Sequence, residues 1–328
     1  MVTDSHVPPT RMSFRIITCA VFIAGIFQSI SPVAAGPTQP KPRVVATLFP
    51  LQEFARAVGG EDVQVDLLLP PGTEAHTWEP KVSDVAKIAR ADIFIYIGPS
   101  MEPWADKILQ AVKTEKLKVI DASSGLQLLP AEHAEEKAGT PVHPHEGTKP
   151  ESLDPHIWLD FMMDCKIVDS LTAALGEQDP ARASSYKASA EAYKARLISL
   201  DHKYRQGLSR CRHHQIILSG HAAFAYLAQR YGLKQMALSG ISPDAEPTPK
   251  RMIEVIEATR KNGIQFVFAE EMVNPRMAQA LAKEAGVGIL ILNPGHNVTR
   301  EQIQQKVTFL DLMETNLKNL ERGLECPQ

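Results

Sequence analysis

Eight short apolar runs, most of them rich in β-branched residues, alternate with segments of helical period, and that alternation restricts this chain to a parallel α/β architecture. In the first half the predicted strands are Arg43 to Phe49, Val63 to Leu69, Ile93 to Gly98 and Leu117 to Ile120, with helices over about Leu51 to Val58, Val82 to Arg90 and Glu102 to Val112. In the second half they are Gln215 to Ser219, Gln235 to Leu238, Gln265 to Ala269 and Gly288 to Leu292. Helices over Ala222 to Tyr231, Pro249 to Asn262 and Pro275 to Ala285 separate these. Runs that stay apolar, instead of alternating with polar residues, belong to strands covered on both faces, and right-handed crossovers supply the cover.

A helix over about Met162 to Leu175 and then the longest helical stretch, Pro180 to about Leu208, stand between the halves. Tyr186, Tyr193, Leu197, Leu200 and Tyr204 recur in it near helical spacing, and proline suits its first turn. About 30 residues of helix span ~45 Å, enough to cross the molecule. A final helix is predicted from about Arg300 to Leu320. The expected fold class is therefore α/β, with two parallel-sheet (βα) lobes joined by one long spanning helix. The boundaries are 36–176 for the N-terminal lobe, 177–210 for the linker helix and 211–328 for the C-terminal lobe. A hydrophobic content of 44% over 328 residues is ample for such a core.

The N-terminus reads differently. Arg11 and Arg15 precede the apolar run Ile16 to Ile30, and Val33-Ala34-Ala35 is the small-residue pattern that a signal peptidase cuts. Residues 1–35 are predicted to be a cleavable signal peptide directing export to the periplasm or another extracytoplasmic space, with Met12 an alternative start. The run is short for a membrane span. Removing Asp4, Arg11 and Arg15 takes the formal charge from −3 to −4, and a mildly acidic surface argues against nucleic acid as a partner. Three cysteines remain after cleavage. Export permits a disulfide; Cys211 and Cys326 flank the C-terminal half and are expected to pair, leaving Cys165 as a small apolar residue on a helix.

Residues 131–152 (AEHAEEKAGTPVHPHEGTKPES) carry charge, proline and glycine with almost no apolar anchor, and are read as a mobile His- and acid-rich loop.

In open parallel sheets ligands bind beyond the carboxyl ends of the strands. His76 lies in the loop after the second strand, His156 follows the fourth strand by way of the mobile loop, and His221 comes just after the first strand of the second half. All three are expected at one edge, the cleft between the lobes. The Asp154-Pro155 pair fixes the backbone before His156, so that one ring nitrogen can meet a metal and the other an acceptor. Neutral imidazoles suit zinc, copper or nickel, and three of them lack one ligand of a tetrahedron. The candidates for the fourth position are, in order, His296, Glu74, Glu270 and Asn293, with water as a competitor. Trp78 and Trp158 are read as packing walls, and Glu246 as a turn or capping residue.

The motifs PPGTEAHTWEP, DPHIWLD, SGHAAFAYLAQRYGL, AEPTPK and FAEEMVNPRMAQALAKEAG resemble those of the zinc/manganese solute-binding proteins of ABC importers, the ZnuA/TroA-like family, over residues 43 to 320. The resemblance implies two rigid lobes, a spanning helix and one metal ion between them, with ligands on His76, His156 and His221. It also implies an ABC permease in the cytoplasmic membrane as partner. Manganese-selective members similar to this chain often carry a carboxylate where His221 stands, which favours Zn2+ over Mn2+ as the bound cargo. The family commonly presents an aspartate where this chain has Asn293, which removes a hard anionic donor. His133, His143 and His145 resemble a His-rich insertion, either a weak auxiliary metal site or a solvated loop.

Competing classes are an exported zinc hydrolase and a metal-stabilised adhesin. The chain has no HExxH and no G-x-S-x-G, so it is expected not to be an enzyme. A monomer is expected.

Overall fold

The computed structural model describes His6 and residues 40–112, 116–131, 153–241, 247–272 and 274–327. The predicted signal peptide (His6 apart), the loop histidines His133, His143 and His145, and Glu246 lie outside the described residues. Residues 41–328 form one compact unit.

The elements in chain order are β1 (Arg43–Ala46), α1 (Phe49–Gly59), β2 (Gln64–Leu67), α2 (Val82–Ile88), β3 (Ile93–Tyr96), α3 (Ala105–Val112) and β4 (Lys118–Asp121). The helices α4 (Phe161–Gln178) and α5 (Ala183–Leu208) follow, then β5 (Gln215–Leu218), α6 (Ala225–Arg230), β6 (Lys234–Ala237), α7 (Pro249–Lys261), β7 (Phe266–Ala269), α8 (Arg276–Ala285), β8 (Gly288–Ile291), α9 (Arg300–Gln304) and α10 (Phe309–Gly323). Two four-stranded sheets result, ordered β2-β1-β3-β4 and β6-β5-β7-β8. All pairings are parallel, as the apolar runs require.

Alternation along each strand divides the core. Val44 and Ala46 of β1, with Ile93 and Ile95 of β3, face one large cluster, whereas Val45 and Phe94 face a separate outer layer under α2 and α3. The second sheet repeats this, with Ile216 and Leu218 turned inward and Ile217 and Val267 outward. The inner cluster is continuous through both halves and takes in α1, α4, α5 and α10. Phe54 of α1 meets Tyr193 of α5 and Phe309 of α10 at ring separations of 5.9 and 5.6 Å, which ties three helices at one point. The tyrosine and leucine stripe of α5 is core, as its spacing predicts. At 26 residues α5 is about 39 Å long.

Two boundaries differ from expectation for identifiable reasons. The C-terminal helix is broken at Lys306, which adopts φ 56°, because Thr308 and Asp311 form a capping box that starts a new helix. Helix α3 begins after Glu102, whose carboxylate accepts from Thr47 Oγ1 and from the amides of Ile97 and Gly98, and so serves the loops beyond β1 and β3 instead.

Cys211 and Cys326 form a disulfide across 115 residues, and Cys165 is free and buried on α4. Closing a loop of that length contributes about 4 to 5 kcal/mol in the chain-entropy account. Cys326→Ala is therefore expected to lower the urea midpoint clearly without changing the far-UV spectrum; an unchanged midpoint would show that the bridge contributes nothing. A second stability effect arises at Asp164, which is fully buried with neither carboxylate oxygen hydrogen-bonded. Burial, and then the neighbouring Asp160, push its carboxyl well above the usual range. An acid whose pKa rises on folding is most stabilising, or least costly, below its unfolded value near 4 and loses that contribution as pH rises. Asp164→Leu is expected to raise the unfolding free energy by about 1 to 3 kcal/mol, and more at pH 8 than at pH 5, as read by denaturation at both.

Candidate metal centre

In the second sheet the strand order reverses direction between β5 and β7, and the crevice beyond such a switch is where parallel sheets place ligands. His221 and Glu270 emerge there, three residues after β5 and one after β7. They are joined by hydrogen bonds from His221 Nδ1 and the His221 amide to Glu270 Oε1, at 2.7 and 3.1 Å. Gly220 makes this approach possible, because a Cβ there would collide with the Glu270 carboxylate.

His156 is fixed in the same manner by its own neighbour. The Asp154-Pro155 turn places Asp154 Oδ1 2.8 Å from both the amide and Nδ1 of His156. The turn is anchored by the Asp154 amide on Leu129 and by Tyr226 Oη, which donates to the Asp154 carbonyl from α6 in the other half. Trp158 sets its ring edge-on to His156 at 5.3 Å and donates Nε1–H to the Pro294 carbonyl at 2.7 Å. It is thus both the wall its sequence position suggested and a strap between the halves. The third imidazole, His76, is half-buried in the loop after β2, its amide donating to Glu74 Oε1 at 3.0 Å.

With Nδ1–H committed to a carboxylate, the Nε2 atoms of His156 and His221 are the ring positions left to meet a metal. His156 Nε2 lies 3.2 Å from His76 Nε2 and 3.2 Å from His221 Nε2. Among the described residues, these three side chains form a group whose ligand atoms all lie within 4.8 Å of one another. Zinc–nitrogen bonds of about 2.0 to 2.1 Å in a tetrahedron set the ligand atoms about 3.3 Å apart, so the spacing is that of ligands around a small cation.

Burial, followed by the like charges of the other imidazoles, holds His76 and His156 well below the usual histidine range. Burial likewise lowers His296, to about 4. His221 differs: burial opposes its charge, but contact with Glu270 outweighs that and raises it. Three of the four rings are therefore neutral and ready to coordinate at neutral pH.

The candidates for the fourth position are arranged around this group but not within it. His296 is buried, its ring 6.5 Å from that of His221, and its Nδ1 has no hydrogen-bond partner. Glu270 and Glu74 each spend an oxygen on one of these histidines. Asn293 is occupied in the turn: its Oδ1 accepts from the Gly295 amide, its Nδ2 donates to Glu271, and Asn316 of α10 grips its backbone on both sides. Asp154, which orients His156, is the residue of this group whose role the sequence left unassigned, although an Asp two residues before a constrained histidine was the available signal. Glu270 as a support for His221 had no local signal, since 49 residues separate them.

Two parallel sheets with three imidazoles, two of them buried and one half-buried, converging beyond their carboxyl edges form an α/β protein whose donor set suits a divalent metal. The chain belongs to the ZnuA family, described as zinc-uptake complex component A, periplasmic, whose profile matches residues 44–323. It is 39% identical over 282 residues to the zinc-binding lipoprotein AdcA of Streptococcus pneumoniae, covering 86% of this chain and 56% of that protein. The chain thus spans little more than half the length of that relative. It is 31% identical over 311 residues to the high-affinity zinc uptake system protein ZnuA of Bacillus subtilis, covering 95% of this chain and 96% of that one. Among solved structures, the Zn(II)-bound ZnuA-like domain of S. pneumoniae AdcA is similar with a TM-score of 0.73 and 37% identity, over 87% of this chain and 99% of that one.

Supports of this kind typically control metal affinity by about 10- to 100-fold. Asp154→Ala is expected to weaken metal binding by about that factor with the fold intact by circular dichroism. Wild-type affinity in the variant would show that His156 holds its pose without the carboxylate.

Proposed function

We propose that this protein is the extracytoplasmic metal-binding component of an ABC importer, which captures zinc and delivers it to a permease in the cytoplasmic membrane. Zinc is cargo, held by Nε2 of His76, His156 and His221, with His296 as the fourth ligand after a small inward movement. The observation that carries this reading is the 3.2 Å spacing of the Nε2 atoms, two of them fixed by carboxylates on the opposite ring nitrogen.

The same donors argue against manganese. An all-imidazole set suits zinc, whereas manganese favours hard oxygen donors, and Asn293, where such a donor would stand, is neutral and engaged in its turn. Membership of a family of zinc-uptake components also favours binding and delivery over catalysis. A signal peptide ending at Ala35 and a periplasmic or similar location fit this role. The names of the relatives, which span a zinc-binding lipoprotein and a zinc uptake protein, point the same way.

The test is a competitive titration of chelator-stripped protein, residues 36–328, with zinc, manganese and copper. One tight zinc equivalent is expected, with manganese much weaker, and His156→Ala is expected to weaken zinc by more than about 100-fold. Equal binding by wild type and His156→Ala would remove the proposed site, and tighter binding of manganese than zinc would overturn the cargo.

A further inference from the structure

Beside the three-imidazole group lies a small chamber lined chiefly by Glu74, Glu270, Glu271, Asn293 and His296. Its volume of about 10 Å³ is that of one water or one cation. Exposure falls steadily along it. Glu271 at the mouth is exposed and Glu74 is half-buried, while Glu270 and His296 are 8% and 2% exposed. The chamber therefore runs from solvent to the imidazoles: Glu74 accepts from the His76 amide, and Glu270 from His221.

Two features suit it to a cation. Three carboxylates line one small space, and their summed negative field attracts a cation. Independently, His296 faces the chamber almost wholly buried, yet its Nδ1 has no hydrogen-bond partner, and a buried ring nitrogen left so incurs a desolvation cost that a cation or its water relieves. Glu271 is held at the mouth by Asn293 Nδ2 at 3.1 Å and Gln302 Nε2 at 2.8 Å, both on its Oε2.

We infer that this chamber is an antechamber, in which Glu271, Glu74 and His296 hold a divalent cation transiently before it passes to the Nε2 atoms of His76, His156 and His221. The inference rests on the zinc-capture reading. It assigns to Glu271 a function in transit but none in the final coordination. A group that stabilises only the path changes loading and release by the same factor and leaves the equilibrium affinity unaltered.

Stopped-flow mixing of the chelator-stripped protein with zinc, followed by the fluorescence of Trp158 against His156, reads loading, and displacement by excess chelator reads release. Glu271→Gln keeps an acceptor for Asn293 and Gln302 while removing the charge. Both rate constants are expected to fall by about tenfold, with the dissociation constant within about threefold of wild type, and Glu271→Lys is expected to slow both further. Unchanged rates in the two variants would overturn the antechamber. A release rate that rises while affinity weakens would also overturn it, by making Glu271 a support of the final site. Absence of tight zinc binding in the wild type is the separate failure of the zinc-capture reading.

Discussion

Everything in this molecule that concerns metal depends on keeping imidazole nitrogens with their lone pairs aimed at one point, at separations where they repel. The cost is met by pairing each demanding ring with a fixed acceptor. Asp154 accepts a hydrogen bond from Nδ1–H of His156, and Glu270 from that of His221, so neither ring can turn away or change tautomer without losing a buried hydrogen bond. The residues that carry these carboxylates are themselves positioned: Tyr226 Oη donates to the Asp154 backbone carbonyl, and the absence of a side chain at position 220 lets Glu270 approach.

The supports reach across the molecule. Trp158 ties the loop of His156 to Pro294, Asn297 Nδ2 donates to the carbonyls of Pro70 and Thr73 ahead of His76, and the Phe49 amide donates to the His296 carbonyl. Loops from both sheets thus share hydrogen bonds around the site, and below them the inner faces of both sheets drain into one core. The disulfide closes the same assembly at the far end of α10.

Much of this was legible in the sequence. The β-branched runs announce the central strands because they stay apolar where both faces are covered, as Ile93 to Tyr96 shows, whereas the edge strands β2, β4, β6 and β8 are partly exposed. Placing His76, His156 and His221 after strands was enough to bring them to one edge. What stayed hidden was long-range. A single apolar pattern from Arg300 to Leu320 conceals a break because Thr308 and Asp311 can satisfy either a continuing helix or a new N-terminus, and the packing of Phe309 and Met313 selects the second. Glu270 looked like a candidate ligand because its partner lies 49 residues away. Asn293 resembled a degraded ligand, whereas Asn316, in a helix with no motif at all, makes it part of a turn.

The unequal burial of the three imidazoles has a kinetic consequence. His156 and His221 are sealed, whereas His76 sits on a loop and is only half-buried. A coordination sphere with one outward donor can be emptied by substitution: an incoming nitrogen or carboxylate replaces His76 while the ion stays bound to the inner two. On the zinc-capture reading, the ion would then change owners without passing through a bare aqueous state, at a rate set by the identity of the acceptor as well as by the strength of the bonds left behind.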